Sequence, residues 1–310
     1  MAEALHPSVV ETPVPEQGGS RSNLDTVWQI VDEIKLFVAT DTGRLVAFLL
    51  LAMGFTFFAL IRRLPEFWFN SESYFSHGIL VPFLSLYILY DRRAEIAKAK
   101  PKPMWWVLIP LAPLLYLVAA SSRGDLIGPL TYSCVITMFL TLLAAGGWEV
   151  FKAVGPAVFF LVFALPFGRG YLDTLTLRFQ GLSTDMAFNL LKILQIGSPM
   201  RTESTQIVIG DYTLYVAPAC SGLKLTISVI AFVALFMIVG RLKWWANLIL
   251  VASVLPICIM INGLRIAMIG GVGYYFGAIR AGQFHDWSGY ISVILCFFLL
   301  MKLTQMLGWK

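Results

Sequence analysis

The chain has 310 residues, of which 58% are hydrophobic and 13% charged, with a formal net charge of +5. A soluble domain carries charge on about a quarter of its residues, so a water-soluble fold is excluded and a polytopic membrane protein is implied. The positive balance does not point to nucleic acid, because the basic residues gather in short loops between apolar runs, the pattern of membrane proteins.

The first stretch, "MAEALHPSVVETPVPEQGGSRSN" (1–23), is rich in Pro, Gly, Ser and Glu and lacks a basic start followed by an apolar core. It reads as a disordered tail and not as a signal peptide. Residues 24–40, "LDTVWQIVDEIKLFVAT", fit a short amphipathic helix lying on the membrane surface. The chain thus divides into a polar segment, 1–40, and a transmembrane domain, 41–310, with no internal repeat.

A span needs about 20 mostly apolar residues. The runs 45–61, 104–120, 126–145, 148–166, 222–240, 244–261 and 288–308 qualify, and "SHGILVPFLSLYILY" (76–90) is a shorter candidate. The loop 91–103, "DRRAEIAKAKPKP", holds five basic and two acidic residues, and "GRLKWW" (240–245) adds Arg241 and Lys243. Placing both loops inside puts the start of the span at 222 on the outer face, although Arg62 and Arg63 then fall outside as well.

The longest stretch between spans is the insertion 167–220. Its first part, 171–194, has the period of an amphipathic helix interrupted by Asp173, Arg178, Gln180, Asp185 and Lys192. Its second part, "TQIVIGDYTLYVA", alternates around Gly210-Asp211 as a two-stranded hairpin does. Helix and hairpin together deliver Cys220 to a defined position on the outer face.

Four cysteines (Cys134, Cys220, Cys258, Cys296) and three histidines (His6, His77, His285) form no metal-ligand spacing, so neither a metal nor a cofactor is expected. Cys134, Cys258 and Cys296 lie inside apolar runs, where a thiol behaves as a small hydrophobe. Cys220 alone has polar flanks. Ser221 and Gly222 open the next helix, whose free N–H groups and dipole favour a thiolate and offer donors to an oxyanion. A capping turn that happens to hold a cysteine fits the same residues.

"INGLRI" (261–266) places Asn262 and Arg265 at the end of the next-but-one span, 45 residues beyond Cys220 and so back on its face. An arginine near bilayer depth marks a functional site by default, and snorkelling to headgroups is its structural alternative. His285, in "GQFHDWSGY" (282–290), is the kind of residue that serves a cysteine as general base. Asp286 is its chain neighbour, and adjacent residues rarely point the same way, so no triad role falls to it. His77, near the outer end of the 76–90 segment, and Asn262 are candidates for supporting or substrate-binding contacts, along with Ser221 and Gly222.

Parity decides whether the three groups meet. One helix running from Arg265 to His285 would part them by about 30 Å. The glycines at 270, 271, 273 and 277 suggest instead a broken, interfacial or re-entrant segment over 263–279 that keeps both ends outside. The expected fold is all-α with about eight transmembrane helices, a small extracytoplasmic helix-plus-hairpin insertion and this re-entrant segment.

"PACSGLK" (218–224), "NGLRI" (262–266), "HDWSG" (285–289) and "YFSHGILVP" (74–82) resemble, in order and spacing, the motifs of the exosortase/archaeosortase family. The resemblance implies a membrane cysteine protease or transpeptidase of the cell (inner or plasma) membrane, with its site on the extracytoplasmic face. Its partners would be exported proteins whose C-terminal signal has a short motif (often Pro-Glu-Pro), a transmembrane helix and a basic tail. By the same resemblance Cys220 would be the nucleophile that forms an acyl-thioester, His285 the acid and base, and Arg265 the stabiliser of thiolate or oxyanion. A transporter using Arg265 and His285 as a substrate or proton site is the alternative, and it leaves Cys220 idle. A thiol–disulfide enzyme would need a second cysteine on the outer face.

Overall fold

The computed structural model of the chain describes residues 39–70, 73–203 and 205–309, with Trp28, Val31, Asp32, Lys35 and Leu36 of the segment before them. Those five positions are helical. The expected disordered tail, 1–23, and the rest of 24–38 lie outside the described residues.

Helix α1 (Asp41–Thr56) is followed after a bend of 69° by α2 (Phe58–Ile61) and α3 (Leu64–Trp68). A 3₁₀ turn, Ser76–Ile79, leads into α4 (Val81–Asp91), and α5 (Arg93–Lys98) carries part of the basic loop. Then come α6 (Leu108–Arg123), α7 (Ile127–Phe160), α8 (Arg169–Ile193), the strands β1 (Met200–Glu203), β2 (Gln206–Ile209) and β3 (Tyr212–Tyr215), and the helices α9 (Leu223–Gly240), α10 (Trp244–Phe276) and α11 (Ala278–Met306). Among the described residues five helices are long and apolar enough to cross a membrane, or six if the bent α1–α3 is one span, against the eight expected from sequence. The protein is a polytopic helical membrane protein.

Two places account for the difference. The candidate 76–90 forms a helix of only 11 residues after its 3₁₀ turn. The candidates 126–145 and 148–166 are joined within α7, where Gly147 leaves the helix (φ 70, ψ −170). Phe139 and Phe151 lie with ring centroids 5.8 Å apart, and the Gly168 N–H donates to the Tyr132 hydroxyl at 3.2 Å. The two limbs of α7 therefore fold back on each other about Gly147.

Arg241, after α9, pairs with Asp91 and Glu95 at 3.6 and 2.8 Å. Thr42 Oγ1 donates to the Ala99 carbonyl, and Lys102 pairs with Glu149. The basic loops thus gather at one end, beside the exposed Trp105, Trp106, Trp244 and Trp245, a headgroup-level arrangement. Cys220 stands at the other end of α9, about 27 Å away at 1.5 Å per residue.

At the Cys220 end the sheet is three-stranded and antiparallel, in the order β1-β2-β3, where a two-stranded hairpin was expected. β2 and β3 pair about Gly210-Asp211 as predicted, with Ile207 opposite Leu214 and Ile209 opposite Tyr212. "MRTE" joins as β1 with a register shift between Arg201 and Glu203, and its sequence lacks any alternation to announce it.

Within 263–279 the helix α10 is continuous as far as Phe276, and the expected break falls at Gly277 (φ 84), where the chain reverses into α11. Its 33 residues make about 50 Å of helix, well beyond a hydrocarbon core of about 30 Å. The extra turns serve as a wall against which the insertion packs. Of the four glycines that suggested a break, Gly270 and Gly273 are instead contact positions, where a Cβ would come 2.9 Å from Ile209 and 2.2 Å from the Tyr212 ring, and at Gly263 one would come 2.4 Å from Met186 of α8. Ala187, Leu191, Ile207, Ile209, Leu214, Val216, Ile266, Ile269 and Ala281 form one buried cluster there, and Cys220 belongs to it.

Candidate active site

Pro218 opens a single 3₁₀ turn that ends at Cys220, closed by the Cys220 N–H on the Ala217 carbonyl at 2.8 Å. Gly222 then sits in the left-handed region (φ 84) and caps α9. A Cβ there would also lie 2.8 Å from the Asn262 amide, so both conformation and space require glycine. The Ser221 hydroxyl accepts from the Leu223 N–H at 3.2 Å, as part of the cap.

Asn262, on α10, holds this turn from below. Its amide donates to the Cys220 carbonyl at 2.9 Å and to the Ser183 hydroxyl at 3.0 Å, and Ser183 donates to the Ser221 carbonyl at 2.9 Å. All of this is buried, where an unpaired polar group costs about 1–3 kcal/mol. The turn that carries Cys220 is thereby fixed to two helices at once.

Cys220 Sγ lies 2.8 Å from His285 Nε2. The two come together because α11 reverses at Gly277, so that His285 returns along α10 to the level of Arg265. Arg265 joins the helices: Nε donates to the Ser288 hydroxyl at 3.0 Å and Nη2 to the His285 carbonyl at 3.2 Å. Its guanidinium is also within electrostatic reach of the Cys220 sulfur. Cys220 is buried, whereas the imidazole is 37% exposed and opens on a groove beside β3. Asp286 Oδ1 is 3.4 Å from His285 Nδ1, a long contact from a side chain that is 81% exposed.

The structure thus brings together Cys220, His285 and Arg265, with Ser221, Gly222 and Asn262 around them. It does not bring His77 to the pair. His77 Nδ1 contacts the Ser228 hydroxyl at 3.2 Å, two turns into α9 from Cys220, in a small cavity with Leu84, Phe160 and Phe232. Sequence reasoning missed Ser183, Gln180 and Ser288. Gln180, counted there among the polar interruptions of an amphipathic helix, is buried and donates to the Val216 carbonyl. Thr176, Gln180, Ser183, Thr184 and Ala187 are all buried on one face of α8. That run of small polar residues at helical spacing was the available signal.

A bundle of apolar helices that seats a thiol against an imidazole at one end, with an arginine beside both, defines a helical membrane protein with a cysteine–histidine centre. The chain belongs to the transmembrane exosortase family (Exosortase_EpsH), whose family model matches residues 68–302. The matched region contains every residue of the centre. No curated protein and no solved structure matches the chain.

Proposed function

We propose that the protein is a membrane cysteine transpeptidase that cuts exported proteins near a C-terminal sorting signal through an acyl-thioester on Cys220. The observation that carries this reading is the 2.8 Å contact between Cys220 Sγ and His285 Nε2. His285 Nε2 takes the thiol proton as Sγ attacks the scissile carbonyl carbon, and the carbonyl oxygen becomes an oxyanion. The imidazolium returns that proton to the leaving nitrogen, the C–N bond breaks, and the thioester remains. An incoming water, amine or hydroxyl then attacks the thioester, His285 again accepts a proton, and the thiolate departs. Arg265 contributes a fixed positive charge beside the sulfur and holds the turn of α11 that carries His285.

The proposal includes eight crossings, counting α1–α3, α4, both limbs of α7, α6, α9, α10 and α11. The grouping of basic loops at the end opposite Cys220 supports an extracytoplasmic site in the cell membrane. Family membership supports peptide substrates over transported solutes. The substrate signal is a short motif followed by a transmembrane helix and a basic tail, so that the scissile bond reaches the bilayer surface at the depth of Cys220.

Co-expression with an exported reporter ending in such a signal tests the reading. The reporter should lose its tail when the enzyme is present and keep it when the membrane helix of the signal is replaced by a soluble linker. Equal processing of both reporters would overturn it.

A further inference from the structure

Among the described residues the strand order leaves β3 with a neighbour on one side only. The Val216 N–H donates to the Thr205 carbonyl at 2.9 Å, and this pair continues the register in which Leu214 faces Ile207 and Tyr212 faces Ile209. Within a strand the main-chain groups of successive residues point to opposite edges. Tyr212, Leu214 and Val216 therefore turn theirs toward β2, and Thr213 and Tyr215 turn theirs away. Two N–H and two C=O groups face outward along this edge.

That edge borders a cavity of about 290 Å³ which ends at Cys220 and His285. Its far wall is the face of α11 presenting Ala278, Ala281, Gly282 and His285, spaced three or four residues apart. These side chains are small up to the histidine, and a Cβ at Gly282 would meet nothing within 4 Å. Ile266 and Ile269 complete the lining from α10. The groove therefore has the width for a main chain, open hydrogen-bonding groups along one side, and the reactive thiol at its end.

We propose that the substrate chain enters this groove extended and pairs with the outer edge of β3 as a fourth strand, in the order β1-β2-β3-substrate. Strand addition of this kind draws affinity from main-chain bonds and selectivity from alternate side chains. Every second residue of the added strand faces Ile266 and Ile269 and is accordingly small or apolar, and the residues between face water. The inference rests on Cys220 being the nucleophile and specifies how the scissile bond is laid against it.

The probes are acetyl-trialanyl chloromethyl ketone and chloroacetone, both of which alkylate a thiolate by displacing chloride, with labelling at Cys220 read by peptide mass spectrometry on the full-length protein in detergent. The peptidyl probe should label Cys220 faster than chloroacetone by about tenfold or more, the gain from one or two main-chain hydrogen bonds. Thr213→Pro removes an N–H that faces the groove and leaves the β2–β3 ladder intact, since proline is tolerated on an edge. It should abolish the gain and leave the chloroacetone rate unchanged, whereas Thr213→Ala should keep the gain. On the unaltered protein, moving a single N-methyl group along the peptide should alternate between strong and weak loss of labelling. Full gain in Thr213→Pro, or equal loss at every N-methyl position, overturns the strand pairing. Failure of chloroacetone to label Cys220 above Cys134 overturns the nucleophile itself.

Discussion

Cys220 and Cys296 are both buried cysteines of the same chain, and their neighbourhoods have little else in common. Cys296 has no exposed surface and packs in the apolar cluster of α9, α10 and α11, where its thiol meets Cys258. Cys220 packs on an apolar cluster as well, but its sulfur emerges at the edge of that cluster against His285. Burial gives both the character of a small hydrophobe. The difference lies in one partner, which is supplied by a helix that reverses 57 residues after Cys220 in sequence. What sets Cys220 apart is tertiary placement.

The largest effect that separates the two cysteines is on turnover. Cys220→Ala should abolish cleavage of the reporter while the protein still inserts at matched level. Cys296→Ala should leave cleavage within about twofold and lower stability by about 1–2 kcal/mol, the cost of a small cavity in a packed core. Cleavage by Cys220→Ala would erase the contrast.

Arg265→Lys comes next. Lysine snorkels as well as arginine does, but it cannot bridge Ser288 and the His285 carbonyl with one planar group. The expected loss is on the order of 10²–10³-fold in turnover, the size seen when an oxyanion donor is removed. A pull-down of uncleaved reporter should be nearly unchanged. Near-normal cleavage would assign Arg265 to membrane anchoring alone.

Asn262→Ala should act more weakly and through position. It strips the Cys220 carbonyl and the Ser183 hydroxyl of their shared donor, a penalty of about 1–3 kcal/mol. The readout that separates positioning from folding is the rate of Cys220 alkylation by chloroacetone. That rate should drop about tenfold in protein whose thermal unfolding still shows one transition, and Asn262→Gln should not restore it, because the longer amide overshoots the turn.

Much of this site could be read from the residues. Cys220, Arg265 and His285 stand in short motifs, and the helix over 171–194 and the turn at Gly210-Asp211 follow from periodicity and turn chemistry. The course of 263–279 could not be read in this way. A glycine-rich apolar run signals a missing Cβ, and both a broken helix and a close packing face need one. What decides between them is Met186 and Tyr212, which arrive from the insertion. The chain takes a course between a helix continuous from Arg265 to His285 and one broken near Arg265: it overshoots to Phe276 and returns. β1 was missed because four residues with one charged end and no alternation carry no strand signal of their own.

The central claim is that Cys220 and His285 act as one unit on a peptide carbonyl, and acid-quench trapping tests it most directly. Purified protein mixed with reporter and quenched in acid should carry the reporter's upstream fragment as a thioester on Cys220. Neutral hydroxylamine should release it. In His285→Gln that adduct should form about 10²–10⁴-fold more slowly, the range for loss of a general acid–base group. Reporter cleavage at normal rate with no hydroxylamine-sensitive adduct on Cys220, or normal adduct formation in His285→Gln, would contradict the account.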